Sequence, residues 1–289
     1  MITLDRDFVT QHLPRRPDDA HKGTMGTLCS VTGSYGFAGA AVLSAQAALR
    51  SGVGLHYQVL PEVIYPVFSA SVHESVCVPV KGSFVGTLSR ADIPAVLNTV
   101  GRASAVLIGC GMGNSSDTRD VLHEVIRHCD APLIIDADGI NVLSTNIDIL
   151  KERRCDVILT PHIKEFSRLT GCPVADILRD QQGAAEAFAS RYPDITLVLK
   201  SHRTVIVRGA QSYLNTAGNS GMAKGGSGDV LAGIIASLAA QGADPLEAAA
   251  SGVHIHAMAG DIAAEKLGKT AMLPSDMIAC LSDVYRSFE

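Results

Sequence analysis

The sequence predicts an α/β fold with a mostly parallel central sheet covered by helices. Two observations predict it. Apolar runs of strand length alternate with helix-like stretches through the middle of the chain, and many of these runs are continuous aliphatic or β-branched segments rather than alternating ones. Strands buried on both faces need such continuous runs, because in a parallel sheet each face is covered by helices. A third observation agrees with them. Glycine, 27 of 289 residues, clusters where the strands should end, and open α/β sheets bind ligands outside the carboxyl ends of their strands.

Strands are expected at 27–32, 55–60, 105–108, 133–135, 157–159, 196–199, 204–207 and 212–214, the last two as a hairpin-like pair. The helix expected at 39–51 is rich in Ala and Leu. One at 117–128 follows an Asn-Ser-Ser start signal, and one at 176–191 opens on Asp. Helices at 229–241, 245–266 and 274–288 follow in series, the last two with Pro near the first turn. The pattern is βαβα through the middle and helical in the last third. No Pro/Ser-rich linker, repeat or charge block divides the chain, so one domain over 1–289 is expected.

Composition excludes several classes. Hydrophobic residues make up 47% and charged residues 18%, enough for a large core and too apolar for disorder. Lys and Arg total 24 against 29 Asp and Glu, a net charge of -5, with no dense basic run; nucleic acid is therefore not an expected partner. Absence of Trp, with aromatics at 4%, argues against base-stacking surfaces. The first residues carry acids and no apolar stretch of signal-peptide type. The most apolar window, 230–240, is about half a membrane span and reads as a buried helix, so no membrane association is expected. Seven cysteines, an odd number with no CxxC spacing, give no zinc or redox motif and suggest buried, reduced thiols in a cytoplasmic protein.

Six loops can carry chemistry. The strongest is the glycine-rich run from Asn215 to Asp229, followed at once by an apolar helix. Gly225, Gly226 and Gly228 permit close backbone approach, Ser227 lies among them, and a helix N-terminus favours phosphate or a developing anion. Asp229 then stands where a base is needed, although an Asp there can also be a plain helix cap. The spacing matches neither a Walker loop nor a dinucleotide fingerprint. Gly33 to Ala40 and Ile108 to Gly113 follow two other strands and can line a pocket mouth or simply pack a turn. Thr160-Pro-His-Ile-Lys-Glu165 places His162 at a helix start, where Glu165 can act as a cap. Asp136 and Asp138 end another strand and can hold Mg²⁺ through water, or Asp138 can cap a helix. Lys200 and Arg203, between two strands, can bracket phosphates or form a solvated hairpin turn. On a parallel sheet these loops converge on one edge, which reads as a nucleotide- or phosphate-handling enzyme.

Taken together, HKGTMGTLCSVTGSYGFAGAAVLSAQAALRSGVGL, IGCGMG, IIDADGINVL, LTPHIKEFSRLTG, VLKSHRTVIV and NTAGNSGMAKGGSGDVLAGIIASLAAQG, in this order, resemble the ADP-dependent (S)-NAD(P)H-hydrate dehydratases. The resemblance spans roughly residues 20 to 285, and the combination of TPHxxEF, LKxxxT and GGSGDxLAG carries most of it. It implies a ribokinase-like three-layer α/β/α fold and repair of hydrated NADH or NADPH, with ADP or ATP as co-substrate and Mg²⁺ as cofactor. It implies that Asp229 is the catalytic base and that Gly225, Gly226, Ser227 and Gly228 form the anion hole. Lys200, Ser201, His202, Arg203, Thr204 and Gly228 fall on nucleotide-binding positions; Ala40, Gly111, His162 and Asp229 fall on positions that contact the hydrated dinucleotide. Asp136 and Asn141 match a stretch near the metal and phosphates. A homotetramer is implied, with the companion NAD(P)H-hydrate epimerase on a separate chain. The chain departs from the family pattern at Ser201, where Gly is usual, at Cys110, where Pro is usual, and at Gly139, where an aliphatic residue is usual. The alternatives are an ATP-dependent small-molecule kinase of the same fold, acting on a vitamin-precursor alcohol, and a non-catalytic nucleotide-binding protein.

Overall fold

A computed structural model describes residues 1–289. Ten strands form one sheet: β1 (Ile2–Thr3), β2 (Thr27–Val31), β3 (Leu55–Pro61), β4 (Val76–Val80), β5 (Ala105–Ile108), β6 (Leu133–Ile135), β7 (Val157–Leu159), β8 (Ile195–Leu199), β9 (Thr204–Arg208) and β10 (Gln211–Asn215). The spatial order is β1-β10-β9-β8-β7-β6-β5-β2-β3-β4. From β4 across to β8 every pairing is parallel; β9 is antiparallel to both β8 and β10, so β10 again runs in the direction of β8. Strands β5, β6, β7 and β8 are buried at every residue, as their unbroken aliphatic runs require.

Twelve helices complete the chain: α1 (Arg6–His12), α2 (Ala38–Arg50), α3 (Tyr65–Ser71), α4 (Ile93–Val100), α5 (Ser116–His128), α6 (Asp138–Leu143), α7 (Ile163–Thr170), α8 (Val174–Arg179), α9 (Gln181–Arg191), α10 (Ser227–Ala240), α11 (Pro245–Leu267) and α12 (Pro274–Arg286). Two separate apolar clusters lie on the two faces of the sheet. One gathers residues of α2, α10, α11 and α12, the other residues of α4 to α9. This is the three-layer α/β/α arrangement. The apolar window of the sequence lies in α10, which is buried between the sheet and its neighbours. Gly233 lets α10 approach α2 closely, because a Cβ there would lie 2.2 Å from the Ser44 carbonyl oxygen. No helix is long and apolar enough to cross a membrane.

Several local expectations are corrected. The helix expected to open at Asp229 opens two residues earlier, with Gly226 (φ +99°) at its cap; Asp229 is therefore a first-turn residue, not the cap. The helix expected at 176–191 is two helices, broken at Asp180, whose carboxylate accepts from the Gly183 N–H at 2.8 Å and caps the second. Asp138 does not cap α6; it is the first helical residue, after Ala137. Strands β1 and β4 and helices α1, α3 and α4 were not anticipated. Strand β4 is an unbroken apolar run, but Pro79 within it argues against a central strand; β4 lies at the sheet edge, where proline is tolerated.

Candidate active site

The chemistry-bearing loops converge at the carboxyl edge of the sheet. Asp136, at the end of β6, is buried with 1% of its side chain exposed. Its Oδ1 accepts from Thr160 Oγ1 and from Lys200 Nζ, both at 2.7 Å. Its Oδ2 faces the Cys110 thiol, which donates at 3.8 Å. Cys110 Sγ, an Asp136 oxygen and an Asp229 oxygen all lie within 4.8 Å of one another. The ends of β5, β6 and β8 and the start of α10 thus meet at one point.

Asp229 is held there by the first turn of α10, and it is only half-buried. Burial, and then the neighbouring Asp136 carboxylate, push its carboxyl up to about 7. A carboxylate near the operating pH is suited to take and return a proton. Burial works against the Lys200 ammonium, but Asp136 and Glu165 outweigh it and hold its pKa above the ordinary lysine value. Burial and the two neighbouring carboxylates raise the Cys110 thiol well above its ordinary value, so it stays protonated.

The glycine loop before α10 presents free donors. The N–H groups of Gly225, Gly226, Gly228 and Asp229 have no hydrogen-bond partner in the chain, whereas the Ser227 N–H is donated to the Lys224 carbonyl at 3.2 Å. Ser227 Oγ is buried without a partner. A Cβ at Gly228 would stand 3.2 Å from Lys200 Nζ and 3.8 Å from Asp136 Oδ2, so the absence of a side chain leaves the space above both open.

On one side of this centre, the loops after β2 and β5 pack together. Gly33 N–H donates to the Cys110 carbonyl and Ser34 Oγ to the Gly111 carbonyl, both at 2.8 Å. Gly111 (φ +61°) presses on Ala40 and Phe37: a Cβ there would lie 2.9 Å from the Cβ of each. Ala40 and Gly111 are therefore neighbours on one wall. Asp138 ties the wall to β6 by accepting from the Gly113 N–H at 2.9 Å.

On the other side, the β7–β8 pairing continues past the strand ends. Lys200 N–H donates to the Pro161 carbonyl at 2.9 Å, and His162 bridges to Lys200. His162 caps α7: its Nδ1 accepts from the N–H groups of Lys164 and Glu165 at 3.1 and 3.2 Å, and its own N–H donates to Glu165 Oε2 at 2.8 Å. The capping alternative is therefore observed. The cap also fixes the tautomer, since an accepting Nδ1 leaves the proton on Nε2, which lies 3.4 Å from Glu165 Oε1. Burial lowers the His162 pKa, with Lys200 adding to the effect, and burial raises Glu165 to about 7.

The turn after β8 exposes His202 and Arg203 at its tip and buries Thr204. Ser201 does not project from this turn. Its hydroxyl donates to Gln181 Oε1 at 2.8 Å and accepts from the Arg203 N–H at 3.0 Å, so the departure from Gly is absorbed inside the loop. Asn141 bonds neither Asp136 nor Asp229; its side chain bonds Arg168 and Asp138. Sequence reasoning missed Thr160 as a partner of Asp136. It also missed the strained backbone of Ala137 (φ +50°), a non-glycine residue in a sparsely allowed region beside Asp136.

This fold and site define a ribokinase-like protein in which a carboxylate stands beside free N–H groups at a helix start, with a largely buried lysine ion-paired to the neighbouring Asp136. Comparison with known proteins narrows the class. The family model for NAD(P)H-hydrate dehydratase matches residues 28–282, and the chain belongs to that family. It is 37% identical over 287 residues to a bifunctional NAD(P)H-hydrate repair enzyme of Moorella thermoacetica, covering 99% of this chain and 54% of that protein. It is 36% identical over 268 residues to the ADP-dependent (S)-NAD(P)H-hydrate dehydratase of Neisseria meningitidis serogroup B, covering 91% of this chain and 86% of that one. Among solved structures, the Bacillus subtilis ADP/ATP-dependent NAD(P)H-hydrate dehydratase, crystallised with ATP and Mg²⁺, superposes with a TM-score of 0.84 at 27% identity, covering 100% of this chain and 99% of that one. The chain spans about half the length of the bifunctional relatives it matches.

Proposed function

We propose that the chain catalyses ADP-dependent dehydration of the S-epimer of hydrated NADH or NADPH, restoring the reduced cofactor with release of AMP and phosphate. The observation that carries the reading is Asp229, raised to about 7, at a helix start where the N–H groups of Gly225, Gly226, Gly228 and Asp229 are unpaired.

In this reading Asp229 takes the proton of the C6 hydroxyl as that oxygen attacks the terminal phosphoryl group of ADP. The bond to the bridging oxygen breaks and AMP leaves. The N–H groups of Gly225, Gly226 and Gly228 hold the charge that develops on the phosphoryl oxygens. The hydroxyl has then become a phosphate ester, a far better leaving group; the ring nitrogen expels it as inorganic phosphate, and the resulting iminium loses a proton from C5 to solvent, which forms the C5=C6 double bond of the restored reduced ring. Lys200 supplies fixed positive charge toward the phosphates, while the turn carrying Ser201, His202, Arg203 and Thr204 meets the nucleotide. Ala40, Gly111 and His162 face the hydrated dinucleotide, His162 through the exposed part of its ring.

A Mg²⁺ ion carried with the nucleotide would neutralise phosphate charge. Asp136 Oδ2 is the oxygen left for it or its water shell, since Oδ1 is taken by Thr160 and Lys200. The protein is read as a cytoplasmic homotetramer with NAD(P)H-hydrate epimerase as its functional companion. The direct test is product stoichiometry: one AMP and one phosphate should appear per reduced cofactor restored. Phosphate-free formation of ADP from ATP together with a stable phosphorylated alcohol would instead indicate the small-molecule kinase.

A further inference from the structure

The geometry points to a second use of the same centre: Cys110, Asp136 and Asp229 form a binding site for a thiophilic divalent cation such as Zn²⁺ or Cd²⁺, and occupation of that site withdraws the base. The three side chains come from three elements, and their ligand atoms converge within 4.8 Å of one another. The two oxygens of Asp136 are not equivalent. Thr160 and Lys200 saturate Oδ1, whereas Oδ2, in a side chain only 1% exposed, has the Cys110 thiol at 3.8 Å as its one partner. That oxygen, the sulfur and an Asp229 oxygen therefore turn toward one another with lone pairs to give.

Charge favours a cation. Two carboxylates face one ammonium, that of Lys200, so the centre carries a negative excess. When the metal binds, the thiol proton leaves to solvent and a metal–sulfur bond forms. Two carboxylates and a thiolate against one ammonium and a divalent ion then sum to zero. Three protein ligands with an open fourth position are the arrangement zinc adopts in accessible sites. The sulfur sets the selectivity, because Mg²⁺ prefers oxygen donors while Zn²⁺ and Cd²⁺ accept thiolate.

Only the inhibitory consequence rests on the proposed dehydratase function; metal binding does not. The test is titration of the nucleotide-free protein with Cd²⁺, reading the ultraviolet thiolate-to-cadmium charge-transfer band, on the wild type, Cys110→Ser and Cys110→Ala. The expected result is a band that saturates at one equivalent in the wild type and is lost in both variants, with ADP binding as the check that each variant is folded. Zn²⁺ should compete for the same equivalent, and either substitution should weaken its binding at least about tenfold. Zn²⁺ should also slow wild-type turnover reversibly, each protein being compared with its own metal-free rate, and the variants should resist it. Absence of the band in the wild type, or its persistence in Cys110→Ser through another cysteine, overturns the site. A protein that shows the band but no dehydratase turnover would keep the metal site and refute the functional reading.

Discussion

Replacing Asp229 with Asn should stabilise the protein while stopping it. The carboxyl is lifted from 3.8 to about 7, chiefly by burial and then by Asp136. Its charged form therefore carries a folded-state penalty of at most about 4 kcal/mol. Water reaches the half-buried side chain, so about 2–4 kcal/mol is the reasonable range. Below pH 3.8 the carboxyl is protonated in both folded and unfolded chains, and the penalty is absent. It grows as pH rises between that value and about 7 and is complete above 7. Stability from this group thus falls with rising pH, the reverse of a salt-bridged aspartate. Asn has nearly the same shape and no charge to lose. At pH 8, Asp229→Asn should raise the melting temperature by about 4–8 °C, at roughly 2 °C per kcal/mol for a chain of this size. At pH 5 the gain should shrink to less than half, because the folded wild type already keeps its proton. The assay is thermal unfolding of both proteins at the two pH values. An equal difference at both, or a destabilised variant at pH 8, would refute the electrostatic account of this residue. The same substitution should cut turnover by about 10²–10⁴-fold while nucleotide binding persists.

Other outcomes follow from the same geometry. Lys200→Ala leaves the Asp136 carboxylate buried without its cation and should cost about 3–5 kcal/mol in denaturant unfolding, along with nucleotide affinity. Gly228→Ala puts a methyl group 3.2 Å from Lys200 Nζ; the fold should survive, and calorimetry should show ADP affinity reduced at least tenfold, about 1.4 kcal/mol. Turnover should fall as pH drops through about 7, on an acid limb that Asp229 sets. Ser201→Gly removes a hydroxyl that bonds Gln181 and the Arg203 N–H; a loss of about 0.5–1.5 kcal/mol, with ADP binding retained, is expected from chemical unfolding.

Much of this was legible in the sequence because the relevant patterns are local. The aliphatic runs of β5, β6 and β7 match their predicted bounds. The glycine loops fall at the ends of parallel strands, so topology alone gathers them at one edge. What the sequence hid is mostly non-local. The pairing of Asp136 with Thr160 and Lys200 joins residues 24 and 64 positions apart. Ala137 shows no composition signal for its positive φ, because the strain is imposed by neighbours. Asp180 breaks a stretch of good helix formers by offering its carboxylate to the next helix, a competition that periodicity does not register. His162 is the reverse case: its place at a helix start was visible, and the structure shows a residue that caps α7 while about half of its side chain stays exposed.

The central claim is tested most directly by mixing the purified protein with hydrated NADH and Mg²⁺, with ADP, ATP or no nucleotide, and following absorbance at the reduced-nicotinamide band. The account predicts recovery of the band that depends on nucleotide and is lost in Asp229→Asn. Failure of both nucleotides to restore it, in a folded protein that still binds them, would contradict the claim and turn attention to phosphorylation of a small-molecule alcohol.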